Sequence, residues 1–237
     1  MMNLIGLDIS VNSTGLSIFK DDKLELYNFT TIKDSYIWVK KTIEYINFEF
    51  INYTYSDNDD YSEKEIIKLV EFNKISDIIF DKICENINKD EKTYICIEGY
   101  NFGFKQNTNS ITDIVCISTI LKSKLLNIPN LEQMLILSPK SIKSYVAEMV
   151  YGTTQTINKR GTKKIINKSP DGVSGGNFSK HDMLKAIIDS DYDDILTNIV
   201  KKNKDEILKM KNIPKPFDDI CDSYWIVKVL SNILKSS

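Results

Sequence analysis

LIGLDISVNSTGLSIF, residues Leu4 to Phe19, decides how the rest of the chain is read. Its first half runs apolar in the manner of a buried strand and is interrupted by one carboxylate, Asp8, at a position where burial is expected. A lone buried charge is costly, so a divalent cation or a network of donors has to compensate it. Ser10, Asn12, Ser13, Thr14 and Gly15 then suit a tight connection, and Leu16 to Phe19 supply a second strand. The expected product is a hairpin with an acid near its tip. Such an acid suits two chemistries, holding Mg²⁺ in a nuclease or sitting beside the phosphates of ATP, and this stretch alone fits both.

Around this hairpin lies a chain of ordinary globular make-up. Its 237 residues are 42% hydrophobic and 27% charged, enough for one domain with a full core, residues 1–237, carrying insertions. The first residues lack a basic n-region and reach an acid too early for a signal peptide. No apolar run approaches the length of a membrane span, so a protein of the cytoplasm is expected, the host's if the source is a virus or phage. Cys84, Cys96, Cys116 and Cys221 form no CxxC pair, which argues against zinc and a disulfide framework and for reduced core thiols. A formal net charge of −2 gives no global field for nucleic acid, so any such affinity has to be local.

Further along, Lys23 to Thr31 alternates as a third antiparallel strand, and Asp34 to Phe50 reads as a helix. Ser56 to Asp60 is a solvated polar loop, after which Ser62 and Glu65 make a capping box for a long amphipathic helix through Ile83. Thr93 to Ile97 is a short apolar strand ending on a second acid, Glu98, in the same way that the first ends on Asp8. Tyr100 and Phe102 follow it, rings that either stack on exposed bases or pack beneath a loop. A helix over 110–126, a core strand over 134–137 and a helix capped by Ser138 with Pro139 in its first turn come next.

From Thr153 to Lys180 apolar periodicity stops. Lys159, Arg160, Lys163, Lys164, Lys168 and Lys180 stand here against the one acid Asp171. Residues 153–179 are read as a flexible basic insertion suited to phosphate contact, because they offer too little apolar area to order themselves. Residues 189–213, with a Lys-rich amphipathic helix from Ile195, are read as a surface insertion. His181 is the chain's one histidine and has no nucleophile motif beside it, which leaves a surface place near a helix start as its expected role.

The last helix, from Phe217 to Leu234, narrows the chemistry. At about 100° per residue Asp219 and Asp222 share the stripe of Ile226, Leu230 and Ile233, the stripe that should be buried. Asp218 lies beside it as a possible cap. Two inward carboxylates one turn apart repel unless a cation or proton lies between them, and hard oxygen donors of this kind suit Mg²⁺ or Mn²⁺.

Taken in order, D-x-S-x-x-x-T-G (Asp8, Ser10, Thr14, Gly15), I-E (Ile97, Glu98), P-K (Pro139, Lys140), K-x-x-M (Lys180, Met183) and D-x-x-D (Asp219, Asp222) resemble the RuvC family of Holliday junction resolvases, with the phage and poxvirus members nearest in flavour. The resemblance implies an α/β fold of the ribonuclease H type, a mixed five-stranded sheet of three antiparallel then two parallel strands flanked by helices. It implies Asp8, Glu98, Asp219 and Asp222 as catalytic metal ligands and Lys140 and Lys180 as DNA contacts. The activity implied is that of an Mg²⁺-dependent endodeoxyribonuclease that cuts four-way or other branched DNA by paired nicks, leaving 5′-phosphate and 3′-hydroxyl ends. Two Mg²⁺ (or Mn²⁺) ions about 4 Å apart would serve the in-line attack. Paired nicks suit a two-fold homodimer, with the helix after Glu98 as the implied dimer face. No nucleotide cofactor and no membrane partner are expected, since a second phosphate loop and a Gly-rich adenosine site are both lacking. The insertions are longer than in compact bacterial members. A ribonuclease H acting on RNA–DNA hybrids, and a non-catalytic branched-DNA-binding protein on the same scaffold, remain the alternatives.

Overall fold

The computed structural model describes residues 2–53, 60–100, 108–157, 163–170 and 178–236. Three strands open the chain, β1 (Met2–Asp8), β2 (Ser13–Lys20) and β3 (Lys23–Thr30), followed by a short helix α1 (Ile37–Thr42) and strand β4 (Asn47–Phe50). The long helix α2 (Tyr61–Asn86) leads to β5 (Lys92–Glu98), α3 (Thr108–Leu125), β6 (Leu131–Leu137) and α4 (Pro139–Tyr151). A separate hairpin, β7 (Thr153–Ile157) and β8 (Lys163–Asn167), precedes the helices α5 (Lys180–Asp189), α6 (Ile195–Ile207) and α7 (Phe217–Ser236).

The main sheet has six strands in the order β4-β3-β2-β1-β5-β6. Neighbours are antiparallel from β1 to β3 and parallel at β3/β4, β1/β5 and β5/β6. This is the expected mixed sheet with one strand more. The extra strand, β4, comes from the stretch read as a single helix over 34–50. It pairs Tyr27 to Thr30 with Asn47 to Phe50, and the Phe48 and Phe50 rings stack at 5.8 Å on one face. Cross-strand bonding at the sheet edge outweighed the local helical pattern.

Period-2 alternation gives each face of the sheet its own core. Ile5, Leu7, Leu16, Ile18, Ile95 and Ile97 pack against Phe72, Ile75, Ile79 and Ile83 of α2 and Ile117, Leu121 and Leu125 of α3. Leu4, Leu26 and Cys96 face the other way, toward α4 to α7, where Ile220, Tyr224, Ile226 and Leu230 are buried. By the same alternation Gly6, Asp8 and Glu98 lie on the α7 face. Helix α7 sits so close to the sheet there that a Cβ at Gly6 would strike the Ser223 carbonyl, and one at Gly15 the Asp219 carbonyl.

The cap of α2 is Asp60, which accepts a hydrogen bond from the Glu63 amide at 2.9 Å, in place of a box on Ser62. The stretch after Thr153 does carry regular structure. The hairpin β7/β8 forms by backbone pairing and is tied to α4 where Asn167 donates to the Ser144 carbonyl at 2.7 Å. Helix α6 is amphipathic as expected and buries Leu196, Ile199 and Val200. Of the cysteines, Cys96 and Cys221 are buried free thiols as expected, whereas Cys116 is exposed on α3. Among the described residues, no helix is long and apolar enough to cross a membrane. The polar loop expected at Ser56 to Asp60 falls, up to residue 59, outside the described residues.

Candidate metal centre

Strands β1 and β5 run parallel, with Leu7 opposite Ile97, so Asp8 and Glu98 finish side by side at the carboxyl edge of the sheet. Helix α7 crosses the same edge and brings Asp222 in from above. Asp8, Glu98 and Asp222 each offer a carboxylate oxygen, and the three oxygens lie within 4.8 Å of one another. They line a cavity of about 220 Å³ together with Lys143 and Ile142 of α4 and Lys180 and Met183 of α5.

Electrostatics of the three acids follow from that placement. Burial pushes the Asp8 carboxyl well above its ordinary range, and the neighbouring charges of Asp222, Glu98 and Asp219 add to the effect. Glu98 is raised to about 7, by burial first and Asp222 second. Asp222 is raised to about 6 by burial, with the Lys180 ammonium pulling the other way. A hard divalent cation would relieve this shared penalty, and an all-carboxylate donor set with neither His nor Cys fits Mg²⁺ or Mn²⁺ better than zinc. The residues present therefore fit such an ion.

The fourth expected ligand is placed differently. Asp219 is inward-facing as its position on the stripe required, with 2% exposure. Its carboxylate, however, accepts a hydrogen bond from Ser13 Oγ at 2.5 Å and another from Lys215 Nζ. Asp219 thus stands beside the three-acid cluster, joined to it through charge and not through shared ligand atoms. Asp218 is no mere cap, since it accepts from Lys180 at 2.5 Å and pairs with Lys215 at 3.3 Å.

The expected DNA contacts divide likewise. Lys180 is drawn onto the acids, reaching Asp222 at 3.3 Å as well as Asp218. Burial opposes its charge, yet Asp222 and Asp218 raise its pKa. Lys140 is exposed at the start of α4, and the α4 lysine that lines the cavity beside Lys180 is Lys143, one turn later. A turn-by-turn projection of α4 would have found it. Lys163 and Lys164 are exposed on β8. The Tyr100 ring is covered by the Lys122 ammonium at 4.4 Å, and its hydroxyl lies 3.4 Å from the Val115 carbonyl, so the ring packs on α3. Phe102, Lys159 and Arg160 fall outside the described residues. His181 contacts the Met210 carbonyl at 3.0 Å through Nε2, on the surface. Ser13 and Lys215 were missed because their roles depend on a partner some two hundred residues away or on the approach to α7.

No protein-family model matches the chain, and no curated protein matches it. Among solved structures it is similar to Thermus thermophilus RuvC in complex with Holliday junction substrate, with a TM-score of 0.51 and 10% identity over 100% of this chain and 97% of that one. A second T. thermophilus RuvC structure gives 0.47 and 9% over 99% and 96%. The yeast mitochondrial Holliday junction resolvase Ydc2 gives 0.46 and 15% over 95% and 75%. The similarity to the junction-bound RuvC, together with the mixed sheet flanked by helices, gives the chain a RuvC-like ribonuclease H fold.

Proposed function

We propose that this chain is a divalent-metal-dependent endonuclease that resolves four-way or closely related branched DNA. The observation that carries the reading is the convergence of Asp8, Glu98 and Asp222 at the carboxyl edge of a RuvC-like sheet. The T. thermophilus RuvC that the chain is similar to is described with a Holliday junction substrate, which favours branched DNA as the substrate class.

Asp8, Glu98 and Asp222 would hold the ion, with Mg²⁺ or Mn²⁺ as the natural choice for three carboxylates. When bound, such an ion supplies an activated water and neutralises charge on the cleaved phosphate. The protein's own groups do the rest. Strand ends and the rigid helix α7 fix the three carboxylates. Lys143, on the cavity wall, is placed to take a phosphate oxygen, and Lys180 balances the acids until substrate arrives. The exposed Lys163 and Lys164 side chains of the hairpin would contact phosphates of the DNA backbone. A homodimer would place two such centres for two symmetric nicks with 5′-phosphate and 3′-hydroxyl ends.

The test is cleavage of four-way, three-way, flap, linear and RNA–DNA hybrid substrates with Mg²⁺. Paired nicks in the four-way junction are expected. Cutting confined to the hybrid would move the chain to the ribonuclease H activity, and binding without metal-dependent cutting would make it a non-catalytic binder.

A further inference from the structure

Asp222, Asp218 and Asp219 are linked by two lysines in an unbroken run of alternating charge. Lys180 joins Asp222 (3.3 Å) to Asp218 (2.5 Å), and Lys215 joins Asp218 (3.3 Å) to Asp219. The far end of the run is anchored in the core. Ser13 Oγ donates to Asp219 at 2.5 Å and itself accepts from Asn28 Nδ2 at 3.3 Å, with Ser13 and Asn28 both buried. Asp219 therefore has a donor on each oxygen, and one of those donors is a full positive charge.

We propose that Lys215 takes the place of a second cation at Asp219, so that the centre accepts one divalent ion readily and a second only when Lys215 is gone. The inference rests on the metal-binding reading above. Charge supports it. Fully ionised, Asp8, Glu98, Asp218, Asp219 and Asp222 with Lys180 and Lys215 carry three net negative charges. One divalent ion leaves that cluster with one net negative charge, while a second, with both lysines in place, would turn it net positive. Geometry supports it as well. The Asp219 side chain is 3% exposed and locked from the Ser13 side, whereas the Lys215 side chain is 39% exposed and reaches in from solvent, so the lysine is the movable partner. Lys215 is thus a positioning residue that sets metal stoichiometry through Asp219.

The experiment is a titration of the full chain with Mn²⁺ at pH 8, followed by the electron paramagnetic resonance of free Mn²⁺ and by calorimetry. Wild type is expected to bind one ion per chain. Lys215→Met is expected to bind two, the second at least about tenfold more tightly than in wild type, because a competing positive charge has been removed from its ligand. Lys215→Arg should restore one ion, and Lys215→Met combined with Asp219→Asn should return to one. Asp219→Asn alone should leave the first ion's affinity within about threefold of wild type, a test that holds even where Lys215→Met folds poorly, since asparagine still accepts from Ser13. One ion in Lys215→Met, two equal ions in wild type, or loss of the first ion in Asp219→Asn would each overturn the inference while leaving the metal centre intact. No ion in wild type would overturn the metal centre itself.

Discussion

Three carboxyl groups held together at a sheet edge make protonation a competitor of metal. Glu98 is raised to about 7 and Asp222 to about 6, chiefly by burial. A carboxyl whose folded pKa lies above its unfolded one contributes stability that is fully present below the unfolded pKa and is lost as pH rises through the folded one. Without metal, the protein is therefore expected to lose up to about 4 kcal/mol between pH 5 and pH 8 through these two groups. Glu98→Gln should raise the pH 8 melting temperature and leave the pH 5 value almost unchanged, as thermal melts at the two pH values will show. An unchanged pH 8 melt would mean that the acids are well solvated. In cleavage assays Asp8→Asn and Asp222→Asn should each abolish cutting and spare junction binding measured by gel shift, because the lysines proposed to contact DNA keep their charge. Loss of binding in a folded variant would contradict that division.

Helix α7 and the hairpin β7/β8 carry separable duties. The helix needs Gly15, where any side chain would meet the Asp219 carbonyl. Gly15→Ala should destabilise by about 1–3 kcal/mol and weaken Mn²⁺ binding as Asp222 shifts with the backbone. Denaturant melts and a metal titration read the two effects, and a fully stable Gly15→Ala variant with normal metal affinity would show that α7 has room to move. For the hairpin, Lys163→Ala with Lys164→Ala should reduce the slope of log affinity against log salt by roughly two units if each lysine neutralises one phosphate. An unchanged slope in fluorescence anisotropy at several salt concentrations would take the hairpin off the DNA.

Metal, fold stability and assembly come together in the intact chain. Because an ion held by Asp8, Glu98 and Asp222 binds the folded state alone, saturating Mg²⁺ should raise the melting temperature at pH 8 and do so far less at pH 5, where protons hold Glu98 and Asp222. Chelation should reverse the gain, and equal shifts at both pH values would place the ion elsewhere. Sedimentation of the full chain with and without four-way junction tests the dimer, with a two-to-one complex as the expected result.

Composition and periodicity were enough to read the hairpin at Asp8, the apolar strand that ends on Glu98, the Ser138 cap and the inward stripe of α7, since each of these is set by neighbours within a few residues. That the acids from separate elements should meet came instead from the resemblance of the ordered motifs to the RuvC family. Composition and periodicity did not show that Asn47 to Phe50 would leave a helical pattern to join β3, because that gain comes from bonds to a strand some twenty residues back. Nor did they separate Asp219 from Asp222, which share one helical stripe. Asp222 points to the strand ends, while Asp219 is taken by Ser13 and Lys215, and that choice depends on how α7 lies across two glycines of the sheet. Local pattern fixes which side of a helix faces inward, but what it meets there is set by packing between segments far apart in the chain.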